Sequence, residues 1–164
     1  MGIDALEQQL LLALTQERLG IILDQRGKPE GAKKHFQEAV RLRADLLQLD
    51  TTNPSRQMAY LLALTRSGKH ADAMAMAAKV RPRMEKSPEL MLQVARVFAP
   101  RPTDDPAAYS KAIEQSLTAL ELATRDAYED ATALRTDPDL VGLRKEARFQ
   151  AIIARLEARE GGVR

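Results

Sequence analysis

The stretch Leu19-Gly20-Ile21-Ile22-Leu23, then Gly27, then Ala32-Lys33-Lys34-His35-Phe36-Gln37-Glu38-Ala39, decides the fold of this chain. Gly20 and Ala32 are small enough to let two helices approach closely. Leu19, Leu23 and Phe36 have the helical spacing needed to fill the interface between those helices. Gly27 falls between them, where a turn needs a positive φ that glycine adopts at little cost. The stretch therefore predicts a helical hairpin.

This pattern resembles the tetratricopeptide repeat (TPR), whose consensus is Trp-x2-Leu-Gly-x2-Tyr, then Ala-x3-Phe, then Pro. Gln16 takes the position of the Trp and Leu23 that of the Tyr. TPR hairpins stack into solenoids, and solenoids usually bind other proteins. The resemblance implies an all-α fold, a TPR-like right-handed α-solenoid of about three helical hairpins with a C-terminal capping helix.

The composition fits a folded helical protein. The 164 residues are 45% hydrophobic and 29% charged, which argues against disorder, and Ala and Leu abound. The net charge is +2, and acidic and basic residues balance in both halves, so the sequence demands no polyanionic partner. The absence of cysteine excludes disulfides, a thiol nucleophile and a Cys-based zinc site.

The sequence carries no targeting or membrane-spanning signal. No apolar run approaches the length of a membrane span, and the start Met1-Gly2-Ile3-Asp4 lacks the basic region of a signal peptide. These features favour the cytoplasm and predict no membrane contact by this domain. The same start also suits a piece of a larger protein.

Turn residues divide the chain, taken as one domain over 1–164, into successive hairpins. In the second hairpin Gly68 aligns with Gly27, which places Leu61 at the position of Gly20 and Ala77 at that of Phe36, so large and small residues are exchanged. The spacing predicts hairpins at about 3–50, 54–86 and 88–125, and a capping element at 126–159. We expect burial of Leu19, Leu23, Phe36, Ala39, Val94, Phe98 and Ala119, and docking of Phe149, Ile152, Ile153 and Leu156 as a cap.

The tail carries a second resemblance. It contains Leu134-Arg135-Thr136-Asp137-Pro138-Asp139-Leu140, then Leu143-Arg144, Phe149 and Ile152-Ile153. Asp137 and Pro138 suit the N-cap and the first position of a helix. The tail is similar to the element Leu-Arg-x-Asp-Pro-Asp-Leu-x-x-Leu-Arg-x4-Phe-x2-Leu-Leu, which ends TPR regions of large bacterial serine/threonine protein kinases, especially those of planctomycete type. The approach Ala127-Tyr128-Glu129-Asp130 departs from that family's Gly-Tyr-x-Asp at Ala127.

No catalytic or metal-binding pattern is present. The sequence lacks the Gly-rich loop, the His-Arg-Asp loop and the Asp-Phe-Gly of a kinase, so a parent kinase would carry its catalytic domain elsewhere. His35 is expected to face solvent or the neighbouring hairpin, and neither it nor His70 has a partner at ligand spacing. Asp137 and Asp139 are interpreted as a helix cap rather than as paired catalytic carboxylates. We expect no cofactor and no metal.

Two basic stretches, over 28–43 and 81–86, are interrupted by glutamates and lack interleaved aromatic residues. Nucleic-acid binding needs aromatic platforms for base stacking or a continuous basic groove. We therefore interpret both stretches as solvated helix faces and expect no nucleic-acid partner.

The leading interpretation is non-catalytic protein recognition or scaffolding. In TPR hairpins the concave groove is lined by first-helix residues beside the packing positions. The resemblance places there Glu17, Ile21, Asp24, Gln25, Met58, Leu62, Thr65, Arg66, Leu92 and Arg96. Their mixed chemistry suits a protein or peptide segment. The alternative is a structural spacer or self-association module with an occluded groove. An enzyme would need acid and base groups converging in a deep pocket, for which the sequence offers no candidates.

Overall fold

The computed structural model describes residues 3–101, 103–125 and 130–161. These residues form helices joined by turns, with no strand among them, which confirms the predicted all-α class. The start of the predicted capping element, over 126–129, lies outside the described residues. The chain divides into two compact units, Met1–Ala78 and Lys79–Arg164.

The first unit contains the predicted first hairpin. The helices are α1 (Ile3–Gln25), α2 (Pro29–Gln48), α3 (Pro54–Arg66) and α4 (His70–Val80), the last of which extends into the second unit. α1 packs against α2, and α2 packs against α3. Proline stands in the first turn of α2 and of α3, where its missing N–H costs no helical hydrogen bond.

The turns that follow α1 and α3 have the same backbone geometry. Gly27 and Gly68 have φ of 68° and 93°. After α1, the amide of Lys28 donates to the carbonyl of Leu23 at 2.9 Å and the amide of Gly27 donates to that of Asp24 at 2.9 Å, and the equivalent bonds close the turn at Gly68. This pair of bonds is the Schellman motif of helix C-termini. The predicted glycine turn is confirmed, and it occurs twice.

Close packing between α1 and α2 depends on Gly20. A Cβ at this position would lie 2.5 Å from Cε1 of Phe36, a distance that atoms do not tolerate. Phe36, Ala32 and Ala39 are buried around this contact. The predicted close approach of the two helices at Gly20 is confirmed, as is the burial of Phe36 and Ala39. At the exchanged positions of the predicted second hairpin, Leu61 and Ala77 are both buried.

The predicted burial of Leu19 is wrong. Its side chain is 39% exposed. Each residue of an α-helix is rotated by about 100° from the one before it. Because Gly20 faces Phe36 directly, the neighbouring Leu19 points away from the interface between α1 and α2. Leu23, which was also predicted to be buried, is half-buried.

The second unit contains the predicted third hairpin and the cap. Its helices are α5 (Pro88–Phe98), α6 (Pro106–Ala123), α7 (Ala131–Thr136) and α8 (Ala147–Gly161), with a 3-10 helix at Pro138–Leu143. α5 and α6 pack together, and Oγ of Ser116 donates to the carbonyl of Ala95 at 2.7 Å across their interface. The predicted burial of Val94, Phe98 and Ala119 is confirmed.

The C-terminal helix docks on its own unit, as predicted. Phe149, Ile152, Ile153 and Leu156 are at most 3% exposed, and α8 contacts α6 and α7. Near the C-terminal end of α8, Nη1 of Arg159 donates to the carbonyl of Thr124 at 3.1 Å. A cation at a helix C-terminus is favourable because the unpaired carbonyls carry partial negative charge. α8 is therefore fixed both by apolar burial and by hydrogen bonds to the end of α6.

Candidate binding surface

One carboxylate joins three helices of the first unit. Oε1 of Glu17, on α1, accepts a hydrogen bond from Nε of Arg43, on α2, at 2.7 Å. Its Oε2 accepts from Nη1 of Arg66, the last residue of α3, at 3.4 Å. Glu17 and Arg43 are only 9% and 8% exposed. Buried charges are stable only when they are paired, so this triad of Glu17, Arg43 and Arg66 ties the three helices together.

Helical spacing explains why these charges are buried. Arg43 lies one turn after Ala39 and two turns after Phe36, on the side of α2 that faces the core. Glu17 lies one turn from Ala13 and from Gly20, on the side of α1 that faces α2. The interpretation of Arg43 as part of a solvated basic face is wrong, because the core side of α2 includes it. Its spacing from Phe36 and Ala39 is the sequence signal that could have placed it.

The ten predicted groove residues differ in how much surface they present. Some are interior, some are partly covered and some are open to solvent. The buried positions are Glu17, Met58, Leu62, Thr65 and Leu92, the half-buried ones are Ile21, Arg66 and Arg96, and the exposed ones are Asp24 and Gln25. A ligand can therefore contact the second and third groups without rearrangement of the fold.

The buried positions of α3 have their bonding needs met within the chain. The hydroxyl of Thr65 donates to the carbonyl of Leu61 at 3.0 Å, and Met58 is fully buried. These side chains pack inside the first unit and do not reach its surface.

In the second unit, Arg96 contacts the segment 137–143, which we call the closing element. Its Nε donates to Oδ2 of Asp137 at 2.8 Å, while Oδ1 of Asp137 accepts from the amide of Asp139 at 2.9 Å. The predicted N-cap role of Asp137 is confirmed, although the helix that it caps is a 3-10 helix. Nη2 of Arg101 donates to Oδ1 of Asp139 at 3.2 Å. Both carboxylates are therefore paired with arginines, which suits a structural role.

The segment after α5 also packs on the closing element. A Cβ at Gly142 would lie 2.8 Å from both Cγ and the carbonyl oxygen of Pro100. Glycine is thus required at position 142 by a close approach of the backbone. No spacing rule along the sequence predicts this contact, because it joins residues 42 positions apart.

The groove side of α1 retains an open strip. It consists of Leu14, Ile21, Asp24 and Gln25, which lie one or two turns from Glu17 on the same side of the helix. Leu14, Asp24 and Gln25 are exposed and Ile21 is half-buried. Asp24 lies in the last turn of α1, where the helix dipole adds partial negative charge. We call these four residues the α1 strip, which offers two aliphatic side chains beside a carboxylate.

The second unit has a shallow cleft of about 300 Å³ between α6 and α8. Arg148 pairs there with Glu121 at 3.0 Å and with Glu114 at 2.6 Å, and the Glu121 hydrogen bond raises the pKa of Arg148. Nη2 of Arg155 donates to Oγ1 of Thr124 at 2.8 Å. The cleft is lined by Glu121, Arg125, Arg148, Ala151, Ile152 and Arg155. These ion pairs and the hydrogen bond join α8 to the end of α6.

His35 has a structural position. Its Nδ1 donates to Oε1 of Gln16 at 2.6 Å, which joins α2 to α1 within the first hairpin. The expectation that His35 faces solvent or the neighbouring hairpin is wrong, because Gln16 stands one turn before Gly20 on the α2-facing side. Over 3–101, 103–125 and 130–161, no group of three or more His, Cys, Asp or Glu residues is arranged to hold a metal ion.

None of the helices in the described part of the chain is long and apolar enough to cross a membrane. No protein-family model, curated protein or solved structure matches the chain.

Proposed function

We propose that this chain is a non-catalytic, TPR-like protein-binding module, one region of a larger bacterial protein such as a serine/threonine kinase. Its ligand is a protein or peptide segment that binds on the α1 strip. The observation that carries the proposal is the exposure of Leu14 and Asp24 beside half-buried Ile21, on a helix fixed by the Glu17 triad. Aliphatic side chains on a rigid helix, next to one carboxylate, suit recognition of another chain.

Two features support the TPR-like part of the proposal. Gly20 and Phe36 make the close contact that the small and large positions of the repeat require. The Schellman turn at Gly27 recurs at Gly68, so α1 and α3 end in the same way. A helical repeat requires such a recurrence of its turns.

The chemistry of the α1 strip specifies the kind of ligand. Leu14 and Ile21 lie two turns apart, so an amphipathic helix with aliphatic residues two turns apart would match them. Asp24 favours a Lys or Arg at the end of that helix, since charge-assisted hydrogen bonds are the stronger ones. The expected ligand is an amphipathic helix with a basic residue at one end.

The alternative function is a spacer with an occluded groove. It is favoured by a specific observation, because Glu17 and Arg96 are already paired within the chain. Burial of Met58 and Thr65 points the same way. A spacer would leave the α1 strip without a ligand.

Fluorescence anisotropy with labelled amphipathic peptides tests the proposal. The panel places leucines two turns apart and a lysine at either end. Asp24→Lys and Ile21→Ser should each weaken binding by about tenfold, the size expected for one charged hydrogen bond or one buried aliphatic side chain. Asp104→Lys, at an exposed loop position, is the matched control and should leave the affinity unchanged.

Circular dichroism must show that every variant keeps its helical signal. Equal affinity in the wild type and in both strip variants would move the binding surface away from α1. Absence of binding across the panel, with the fold intact, would favour the spacer.

A further inference from the structure

Helix α1 exposes an unusual amount of apolar surface. Among the described residues, eight large hydrophobic side chains are exposed, and five of them lie on α1. They are Leu11, Leu12, Leu14, Leu19 and Ile22, with exposures from 39% to 64%. Scattered exposed leucines are ordinary, but a concentration on one helix marks an interaction site.

Three of these residues form one face with Thr15. Leu11, Thr15, Leu19 and Ile22 follow one another at intervals of one helical turn. The hydroxyl of Thr15 donates to the carbonyl of Leu11 at 2.8 Å, so its donor is satisfied within the helix and its methyl group remains for contact. We call these four residues the outer face of α1. It is distinct from the α1 strip, which lies beside Glu17.

The outer face is complementary to itself when two copies run antiparallel. Leu11 and Leu19 lie equally far before and after Thr15. Asp4, at the start of the helix, and Arg26, directly after its end, are also equally far from Thr15, and both are exposed. A two-fold axis at Thr15 would therefore place Leu11 opposite Leu19 and Asp4 opposite Arg26 of the other copy.

We infer that a second copy of this chain covers the outer face, in an antiparallel α1–α1 dimer with its two-fold axis at Thr15. Such an interface is isologous, so one surface patch supplies both halves and the assembly closes as a dimer. The small Thr15 lets the helices cross closely. Antiparallel helix dipoles and the two Asp4–Arg26 pairs add favourable electrostatics at both ends. An unrelated partner would not require this symmetry of charge and size.

The interface is small, because one helix from each copy supplies it. Interfaces below about 1,200 Å² are typical of weak complexes. We therefore expect a concentration-dependent dimer, monomeric near about 1 µM and dimeric near about 200 µM, which corresponds to a micromolar dissociation constant.

Sedimentation velocity across this concentration range tests the inference. Leu11→Glu combined with Leu19→Glu puts carboxylates opposite each other and should lower the dimer fraction at least tenfold. Leu49→Glu combined with Val141→Glu alters two equally exposed positions elsewhere and should leave the dimer intact. Asp4→Arg alone should weaken the dimer, and addition of Arg26→Asp should restore it, because the pair is then exchanged.

Cysteine cross-linking tests the orientation, and the chain has no cysteine of its own. The double variant Leu11→Cys with Leu19→Cys should form a covalent dimer on oxidation, because a disulfide needs Cα atoms within about 7 Å. Leu11→Cys alone should not, since antiparallel copies hold the two Leu11 positions about 12 Å apart along the axis.

A monomer at about 200 µM would overturn the inference and leave a different segment as the occupant of the outer face. A dimer indifferent to the Leu11 and Leu19 substitutions, or efficient cross-linking of Leu11→Cys alone, would overturn it as well. Peptide binding to the α1 strip would be unaffected by any of these results, so the proposed function stands or fails separately.

Discussion

The two terminal helices, α1 and α8, distribute their apolar residues differently. In α8 the large apolar residues are Phe149, Ile152, Ile153 and Leu156, which form a single face and are at most 3% exposed. In α1 they surround the helix. One side packs in a core of Ala13, Leu42 and Leu46, while Leu11, Leu19 and Ile22 remain exposed.

The difference shows what each end of the molecule can do. A helix with one apolar face leaves little apolar surface in solvent once that face is buried, as in α8. A helix that is apolar on two sides still exposes one of them when the other is buried. The apolar face of α8 is buried in the second unit, whereas both the α1 strip and the outer face of α1 contain exposed apolar side chains.

Removal of the buried Phe149 ring from α8 should destabilise the protein far more than removal of an exposed side chain from α1. Phe149→Ala should lower the free energy of unfolding by about 3–5 kcal/mol, because it removes apolar contacts and leaves a cavity. Leu11→Ala is the matched change on α1, and in the monomer it should alter that free energy by at most about 0.5 kcal/mol. Urea denaturation at low protein concentration measures both.

Similar losses in the two variants would contradict the contrast, because they would mean that Leu11 is covered in the monomer. A loss below about 1 kcal/mol for Phe149→Ala would show that α8 does not close the second unit.

The inner side of α1 should prove as tightly packed as α8. Gly20→Ala introduces a Cβ that clashes with the Phe36 ring, and overpacking of this kind costs about 1–3 kcal/mol. Alanine recovers about 1 kcal/mol of helix propensity, so the net loss should be about 0–2 kcal/mol. Thermal denaturation followed by circular dichroism is the appropriate measurement.

Gly31→Ala provides the control for this change. Its Cβ would lie 3.3 Å from Cδ1 of Leu23, the end of a flexible side chain, so it should be neutral or stabilising. Phe36→Leu, added to Gly20→Ala, should relieve the clash and reduce the loss. If Gly20→Ala instead stabilises the protein, the close approach of α1 and α2 is incorrect.

The smallest effect is expected on the exposed side of α8. Arg148→Gln removes the ion pairs with Glu114 and Glu121, whose side chains are well exposed. Solvent screening limits such pairs to less than about 1 kcal/mol. Chemical denaturation at low and high salt should show a small loss that disappears at high salt. A loss that matches Phe149→Ala would mean that α8 is held by charge rather than by burial.

Packing between neighbouring helices could be predicted from the sequence because it follows spacing. Gly20 and Phe36, the turn at Gly27 and the cap at Asp137 all follow rules that act within a few turns of helix. Leu19 was misplaced because a consensus position does not fix a side chain's angle about the helix axis.

The candidate groove was harder to predict because pairing of charges depends on which helices become neighbours. Glu17 and Arg96 have the position of groove residues in the repeat, yet Arg43 and Asp137 neutralise them inside the fold. Spacing along a single helix contains no information about such partners. Asp24 and Gln25 are exposed, as contact with a ligand requires, but exposure alone does not test the predicted groove.

The Glu17 triad also sets the alignment of its helices along their axes. One carboxylate bonds to an arginine from each of two other helices, Arg43 and Arg66. A slip of α1 by one turn would move Glu17 by about 5.4 Å and break both bonds at once. Apolar side chains could interlock again after such a slip, but Glu17 and Arg43, which are both buried, would lose their ion pair. The triad therefore favours a single alignment of α1 along α2 and α3, where hydrophobic packing alone would allow several.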